Sequence, residues 1–340
     1  MIVEYLIADT FGTHIGKYSK RLKITQGGKA LSEAPLLHLR AVYIIERGVS
    51  ISADAVAICC EQGIPIHYMD SLGRNYATLY SSGLTGTVLT RRAQLEAYHD
   101  ERAFAFAQAI TLAKLHNQAT TLKYLAKNRR ESQPDVYEEL RLCASDVLDC
   151  TAQIEAIQLQ CVDAVRDTIM GIEGNAGRIY WSAVRAVIPT DYNWQTRHGR
   201  GATDAVNSLL NYGYGILYSR IEQAVTLAGL DPYAAFLHAD RPGKPSLVLD
   251  LIEEFRQVAV DRVIWGLVNR NFTVVQSADG KLSEETRRIF ANKILDHQHA
   301  TFRYEGKKVS LRIIIQTQAR KLASFLRGDC DAYQGFKATY

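Results

Sequence analysis

Apolar residues in the first 90 positions fall in short β-branched and aromatic segments, a pattern typical of β-strands. Strands are predicted over 3–7, 22–25, 41–45 and 64–68, with glycine-containing turns between them. A helix is predicted over 52–62, where Ser52 offers an N-cap before an alanine-rich run. This part of the chain is therefore predicted to form a small β-rich domain.

The pattern changes near residue 90, where glycine becomes rare and apolar residues recur at helical spacing. Helices are predicted over 91–127, 136–170, 175–188, 203–229, 246–270, 283–300 and 309–327. The predicted fold class is α+β with two domains, a β-rich N-terminal domain at 1–88 and a larger all-α C-terminal domain at 89–340. A short linker is expected near 85–92.

Composition places the chain among globular proteins that do not cross membranes. Of its 340 residues, 47% are hydrophobic and 22% are charged. No segment approaches the roughly 18 apolar residues of a membrane-spanning helix, and the N-terminus lacks signal-peptide features, so a cytoplasmic location is expected. The net charge of +4 is too small by itself to indicate a nucleic-acid partner.

The spacing of three of the six cysteines predicts that they share one helix face. Cys143, Cys150 and Cys161 lie 7 and 11 residues apart, close to two and three helical turns. Buried, reduced packing is favoured over a redox role or a zinc site.

Three segments carry polar residues that could perform chemistry. In the first, glycines at 171, 174 and 177 surround Glu173, and each costs up to about 1 kcal/mol within a helix. Either tight helix packing or a close ligand would explain them. The second segment ends at His238, after an apolar Phe-Leu pair. An isolated histidine of this kind is more often a core residue than a ligand.

The third segment is an acidic helix that begins near residue 246. Asp250 lies three and four positions before Glu253 and Glu254, so these carboxylates are helical neighbours. An ordinary solvent-exposed face is one interpretation, and a bound hard cation is the other. The spacing does not choose between Glu253 and Glu254.

Together the three segments supply two or more carboxylates and one imidazole, a donor set suited to Mg²⁺ or Mn²⁺. Such an ion can activate water or a 3′-hydroxyl for attack on a phosphodiester. Residues in the same segments could contact DNA phosphates or unpaired bases: Arg178, Tyr180, Arg241, Lys244 and Arg256. A rival pair, His297 and His299, is two apart on a predicted helix and is interpreted as polar surface.

Several ordered motifs resemble those of the CRISPR-associated adaptation integrases, the family called Cas one, over essentially the whole chain. The motifs are Arg91-Arg92-Ala93-Gln94, Lys114-Leu115-His116-Asn117-Gln118, Glu173-Gly174-Asn175-Ala176, Asn211-Tyr212-Gly213-Tyr214, Gly229-Leu230-Asp231-Pro232 with Phe236-Leu237-His238, and 246–256. The resemblance implies a β-domain that forms a homodimer and a helical domain that holds the metal. It also implies Glu173, His238 and Glu253 as catalytic metal ligands, with Asp250 as an acidic helper, and so prefers Glu253 over Glu254.

The function that the resemblance implies is a metal-dependent DNA endonuclease and integrase of CRISPR adaptation. It would act on double-stranded and branched DNA with a small ferredoxin-like partner called Cas two, joining 3′-hydroxyl ends of captured fragments into the CRISPR array by transesterification. The alternative from another class is a non-catalytic DNA-binding scaffold. An RNA-directed nuclease has no support, because no RNP-type aromatic motif is found.

Overall fold

The N-terminal part of the chain is built from two small sheets and one helix. The computed structural model describes residues 3–70, 72–81, 87–199 and 201–339. The elements of this part are β1 (Tyr5–Ala8), β2 (His14–Tyr18), β3 (Arg21–Gln26), β4 (Lys29–Pro35), β5 (Ala41–Ile44), β6 (Ser50–Ile51), α1 (Ala53–Glu61), β7 (Ile66–Met69) and β8 (Asn75–Leu79).

The strands pair in two four-stranded sheets. The first has the order β1-β5-β7-β8, with parallel pairing except between β7 and β8. The second has the order β4-β3-β2-β6, antiparallel except for a short parallel pairing of β2 with β6. Leu6, Ile15, Val42 and Ile66 belong to one buried apolar cluster that joins the two sheets. Burial of this cluster supplies the main driving force for the domain.

All four predicted strands are confirmed, as β1, β3, β5 and β7. The predicted helix is confirmed as α1, and the Ser52 hydroxyl caps it by accepting the Ala55 N–H at 3.2 Å. Strands β2, β4, β6 and β8 were missed. Most residues of β4 are solvent-exposed, and β6 has only two residues, so neither carries an apolar alternation that a sequence pattern could reveal.

The C-terminal part is mainly helical. Its helices are α2 (Thr87–Ala97), α3 (Glu101–Lys127), α4 (Pro134–Glu155), α5 (Val162–Arg185), α6 (Ala205–Leu227), α7 (Ser246–Ile252), α8 (Arg262–Val268), α9 (Glu284–His297) and α10 (Leu311–Leu326). None of the helices in the described part of the chain is long and apolar enough to cross a membrane. The α+β class is confirmed, and the boundary at 88/89 stays a prediction.

Three predicted helix boundaries were wrong. The helix predicted over 91–127 is interrupted at 98–100, where the Asp100 carboxylate caps α3 by accepting the Arg102 N–H. The break predicted at 171–174 lies instead at 156–161, so Glu173 is in the middle of α5. Helical structure also begins at Thr87, inside the expected linker, of which residues 85 and 86 lie outside the described residues.

The expectation of an all-α C-terminal domain was also wrong in one place. Strands β9 (Thr301–Tyr304) and β10 (Lys307–Ser310) form an antiparallel hairpin before α10. Glu305 and Gly306 both have positive φ, at 49° and 78°, which is the two-residue turn that matches strand twist. The turn signal is short and lies between two helical patterns, which explains why it was overlooked.

The cysteine prediction holds for only part of the set. Cys150 is buried and Cys143 is half-buried on α4, but Cys161 is exposed and immediately precedes α5. The three residues therefore do not share one helix face, because the chain leaves α4 before it reaches Cys161.

The helical part packs against the N-terminal sheets through a close backbone contact. A Cβ added at Gly215, on α6, would lie 1.6 Å from the carbonyl oxygen of Gly73. Asn75 of β8 also donates a 2.7 Å hydrogen bond to Glu222 of α6. Only glycine allows α6 to approach the turn before β8 this closely.

Substitution Gly215→Ala is expected to lower the free energy of unfolding by about 3 kcal/mol or more, because backbone atoms must move to admit the methyl group. Gly266→Ala on α8 is the matched control, since nothing lies within 4 Å of its added Cβ. The control should be neutral or stabilising by up to about 1 kcal/mol. Urea unfolding measures both, and equal stability of the two variants would contradict the packing described.

Candidate metal centre

Two acidic side chains from different elements meet at one lysine. Lys114, on α3, forms ion pairs through Nζ with Oε1 of Glu173 on α5 and with Oε2 of Glu253, just after α7. The Lys114 side chain is 12% exposed and the Glu253 side chain is 7% exposed. A buried carboxylate requires a counter-charge, and a single ammonium group supplies it for both acids.

His238 lies beside these carboxylates at the same small cavity. The cavity is about 20 Å³, roughly the space of one water molecule or ion. Its lining residues come from four parts of the chain: Thr111, Lys114, Met170, Glu173, Leu237, His238 and Glu253. The structure therefore brings together all three residues that the sequence analysis named as ligands, although their approach is mediated by Lys114.

The two adjacent glutamates face opposite directions. Helix α7 ends at Ile252, and a π-helical turn follows at Gln257–Asp261, so the helix is irregular where the acids lie. Glu254 is fully buried and accepts hydrogen bonds from Gln318 Nε2 at 2.8 Å and from the Phe336 N–H at 2.8 Å. Burial raises the pKa of Glu254 to about 7. Only Glu253 faces Lys114 and Glu173.

Asp250 holds the His238 segment and does not face the cavity. Its carboxylate is fully buried and accepts the backbone N–H groups of Phe236, Leu237 and His238 at 2.8, 3.0 and 2.8 Å. It also accepts the His238 Nδ1–H at 2.7 Å. Since a carboxylate can only accept here, His238 Nδ1 carries a proton, and Nε2 is the ring nitrogen that a neutral imidazole would offer to a metal ion.

A second set of contacts fixes the same segment from its carbonyl side. Residues 231–238 are a loop between α6 and α7. Arg166 of α5 donates to the carbonyl oxygens of Phe236 and Leu237, each at 3.0 Å. Gln94 of α2 accepts the Asp231 N–H at 2.8 Å and donates to the Ala234 carbonyl at 2.7 Å. The loop that carries His238 is therefore held by hydrogen bonds to both its N–H groups and its carbonyl groups.

Positive charge dominates the environment of Glu253. Burial alone would raise its pKa, but Arg256 and then Lys114 outweigh burial and lower the pKa to about 2. Arg256 Nε donates to Glu253 Oε1 at 3.0 Å, and its guanidinium stacks on the Tyr214 ring at 4.7 Å. The carboxylates of Glu253 and Glu173 in turn raise the pKa of Lys114 against the effect of burial. Glu253 is therefore ionised, as a metal ligand must be.

The donor chemistry fits a hard divalent cation, although the side chains are not gathered around one. Across residues 3–70, 72–81, 87–199 and 201–339, no three His, Cys, Asp or Glu side chains are close enough to hold a metal ion. Lys114 stands between Glu173 and Glu253, where a cation shared by the two carboxylates would lie. Glu173, Glu253 and His238 Nε2 could hold Mg²⁺ or Mn²⁺ if this ammonium moved aside.

The residues named for DNA contact fall into two groups. Arg178, Arg241 and Lys244 are exposed. Tyr180 is fully buried, donates to Asp261 at 2.8 Å and accepts from Trp265, so the prediction that its ring could stack on a base was wrong. Arg256 is committed to Glu253 and Tyr214 and belongs to the site itself.

The glycines around Glu173 have open space beside them, and the two histidines near the end of α9 have separate partners. A Cβ at Gly171, Gly174 or Gly177 would meet nothing within 4 Å, so tight helix packing does not explain these glycines. His297 bonds the Val258 carbonyl at 2.9 Å, whereas His299 pairs with Glu4, so the two imidazoles do not form one site.

The sequence analysis missed Lys114 and Arg166 as site residues. Lys114 is part of a motif quoted above, but nothing in its spacing indicates that α3 crosses α5 at Glu173. The available signal was a lysine among apolar residues of α3 that are buried, since a lysine in such a position usually pairs with an acid. The role of Arg166 depends on contacts with carbonyl groups, which leave no pattern in the sequence.

The chain matches the family described as "CRISPR associated protein Cas1" over residues 6–295. It is 36% identical over 342 residues to a CRISPR-associated endonuclease Cas1 of Archaeoglobus fulgidus, covering 97% of this chain and 98% of that protein. It is 32% identical over 328 residues to one of Francisella tularensis subsp. novicida, covering 96% and 97%.

Solved structures share the fold at lower sequence identity. A casposase bound to integration product superposes with a TM-score of 0.83 and 21% identity, over 99% of this chain and 94% of that one. The Cas6-RT-Cas1–Cas2 complex gives a TM-score of 0.78 and 23% identity, over 99% of this chain and 36% of that one.

Substitution Asp250→Ala is expected to lower the free energy of unfolding by about 3 kcal/mol or more, because three buried N–H groups and the His238 imidazole lose their acceptor. Asp240→Ala is the control in the neighbouring sequence, since Asp240 is exposed and accepts the Ala235 N–H at a long 3.3 Å, so that its loss should cost about 1 kcal/mol or less. Urea denaturation monitored by circular dichroism measures both. A loss below about 1 kcal/mol for Asp250→Ala would contradict the positioning role.

Proposed function

The chain belongs to the CRISPR-associated Cas1 family, and we propose that it is a divalent-metal-dependent DNA endonuclease and strand transferase of CRISPR adaptation. Its Archaeoglobus and Francisella relatives are named endonucleases. The proposed reaction joins the 3′-hydroxyl ends of captured DNA fragments into the CRISPR array by transesterification.

The observation that carries this proposal is the pair of carboxylates that form ion pairs with one lysine between them. Glu173 and Glu253 share the Lys114 ammonium, and His238 lines the same cavity. Two carboxylates and an imidazole are a donor set for Mg²⁺ or Mn²⁺, and Mn²⁺ accepts the imidazole nitrogen more readily than Mg²⁺ does. A scaffold that only binds DNA has no need for two carboxylates and an imidazole at one cavity.

A bound ion would neutralise charge on the attacked phosphate and favour deprotonation of the attacking hydroxyl or water. Glu173, Glu253 and His238 would hold it, and Asp250 would keep the His238 imidazole oriented through Nδ1. During joining, one new phosphorus–oxygen bond forms to the incoming 3′-hydroxyl and one breaks, which releases a 3′-hydroxyl on the target strand. The number of phosphodiester bonds is conserved, so no external energy source is needed.

Exposed cations near the site provide candidate contacts for the DNA backbone. Arg178 lies on α5 one and a half turns beyond Glu173, and Arg241 and Lys244 flank a turn that follows His238. The three glycines of α5 leave an open helix face beside Glu173. A phosphate backbone could approach that face closely, since no side chain of the described residues lies within 4 Å of a Cβ added at these glycines.

The proposed assembly contains two copies of this chain and the small ferredoxin-like protein Cas2. A structural neighbour is itself part of a complex that contains Cas1 and Cas2. The N-terminal sheets expose apolar side chains, among them Phe11, Tyr18, Leu31 and Leu37 at 71, 66, 53 and 81%. Leu31 lies on β4, an edge strand, which suits a symmetric contact between copies.

The catalytic proposal is tested by incubating the purified protein with branched DNA and with fragments bearing 3′-hydroxyl ends in the presence of Mn²⁺. Glu173→Ala and His238→Ala should each lower the rate of DNA processing by about 100-fold or more, since each removes a proposed ligand. Glu155→Ala, an exposed acid at the end of α4, is the control and should retain wild-type rates. Wild-type rates in the two site variants would show that the proposed metal site is wrong, whereas DNA binding without processing by the wild type would favour the scaffold.

The dimer is tested by sedimentation velocity, where the 38.0 kDa chain should sediment at about twice its monomer mass. Leu31→Glu should shift the protein to monomer by placing charge in the contact. Leu142→Glu, at an exposed leucine of α4, should leave the dimer intact. A monomeric wild type, or a Leu31→Glu protein that still dimerises, would contradict the proposed contact.

A further inference from the structure

A second cavity lies between the N-terminal sheets and helices α6 and α10. Its volume is about 330 Å³. Four arginines line it, Arg40, Arg220, Arg312 and Arg320, together with apolar and neutral polar residues. It shares no lining residue with the cavity of Glu173, Glu253 and His238. We refer to it as the arginine cavity.

Arg220 forms the buried part of the arginine cavity and is only partly satisfied. Arg220 is 8% exposed, and its Nη1 donates a hydrogen bond to Gln223 Oε1 at 2.5 Å. Its Nε is buried, and no acceptor in the described part of the chain reaches it. An unpaired donor on a buried cation destabilises the fold unless a bound group accepts its hydrogen bond.

The other three arginines add charge without a compensating acid. Arg312 is partly buried and its Nε also lacks an acceptor among the described residues, while Arg40 and Arg320 are exposed at the edge. Among the described residues that line the cavity, none is an aspartate or a glutamate. No described carboxylate forms an ion pair with any of the four arginines. Four like charges around one concave space repel one another.

Neighbouring groups show the same uncompensated positive field. Burial, together with the smaller effect of the Arg220 charge, lowers the pKa of His67 to about 3. Burial also lowers the pKa of Arg220; the hydroxyls of Tyr5 and Tyr43 oppose this effect, and the charges of Arg312 and Arg40 add to it. A bound anion would relieve this repulsion.

We propose that the arginine cavity binds the phosphate group of a small or terminal phosphate ligand. Guanidinium groups match the oxygens of phosphate with paired N–H donors, and two unpaired Nε–H groups are available here. Because Arg220 is nine-tenths buried, an internal phosphodiester within a duplex would reach it poorly, whereas a phosphomonoester can enter end first. The two sources of such a group are a free phosphate compound and the 5′-phosphate end of a DNA strand.

Isothermal titration calorimetry with pyrophosphate, in chloride buffer with EDTA, tests the proposal on the full chain. EDTA removes divalent ions, so binding at the candidate metal centre does not contribute. The wild type should show one saturable site tighter than about 1 mM. Arg312→Gln should weaken this binding by about tenfold or more, because it removes a charged hydrogen-bond donor.

Arg141→Gln is the matched control, since Arg141 is exposed on α4 away from the cavity, and it should bind pyrophosphate as the wild type does. Arg220→Gln should abolish binding, and Arg312→Gln keeps the test decisive if that buried substitution fails to fold. Absence of saturable binding in the wild type would overturn the proposal. Equal affinity in Arg312→Gln and wild type would overturn it too.

Competition then distinguishes the two sources of the phosphate. A short duplex with 5′-phosphate ends and the same duplex with 5′-hydroxyl ends are each titrated against bound pyrophosphate. Displacement by the phosphorylated duplex alone identifies a strand end as the ligand. Displacement by neither duplex identifies a free phosphate compound, and equal displacement by both would contradict recognition of a phosphomonoester.

Discussion

The structure of the site depends on one electrostatic constraint, the need to neutralise two carboxylates where helices α3, α5 and α7 meet. Lys114 meets that need by pairing with both Glu173 and Glu253. Arg256 adds a second positive charge to Glu253, so the two acids are balanced by two cationic side chains. A divalent ion in place of the Lys114 ammonium would carry twice the charge of the ammonium at the same position. The arrangement of the two carboxylates therefore suits a metal-dependent enzyme.

Other polar residues fix the elements that bring these charges together. Gln94 and Arg166 bind the backbone of the His238 loop, and Asp250 binds its N–H groups. Asn117 donates to the carbonyls of Glu254 and Phe336 at 2.9 and 2.8 Å and so ties the acidic segment to the C-terminal residues. These buried hydrogen bonds are satisfied pairs, which makes the site rigid before any ligand arrives.

The sequence predicted the α+β class and the residues of the site better than it predicted their geometry. Residue types singled out Glu173, His238 and an acidic segment but left Glu253 and Glu254 open, and only the family resemblance preferred Glu253; the structure places Glu173, His238 and Glu253 at one cavity. Lys114 was missed, since its role arises where α3 crosses α5, a contact between residues far apart in the chain. Tyr180 was misjudged because an aromatic ring looks the same in sequence whether it faces solvent or Asp261. The 301–310 hairpin was hidden between two strong helical patterns.

The central claim is that Lys114 occupies the position of a catalytic cation. Anomalous X-ray diffraction from crystals grown with Mn²⁺ tests it most directly, because it locates the ion and the lysine in one experiment. The account predicts an anomalous peak bounded by the carboxylates of Glu173 and Glu253 and by His238 Nε2, with Lys114 Nζ moved away from both acids. No peak at that position, with Lys114 still paired to Glu173 and Glu253 at a saturating Mn²⁺ concentration, would contradict it.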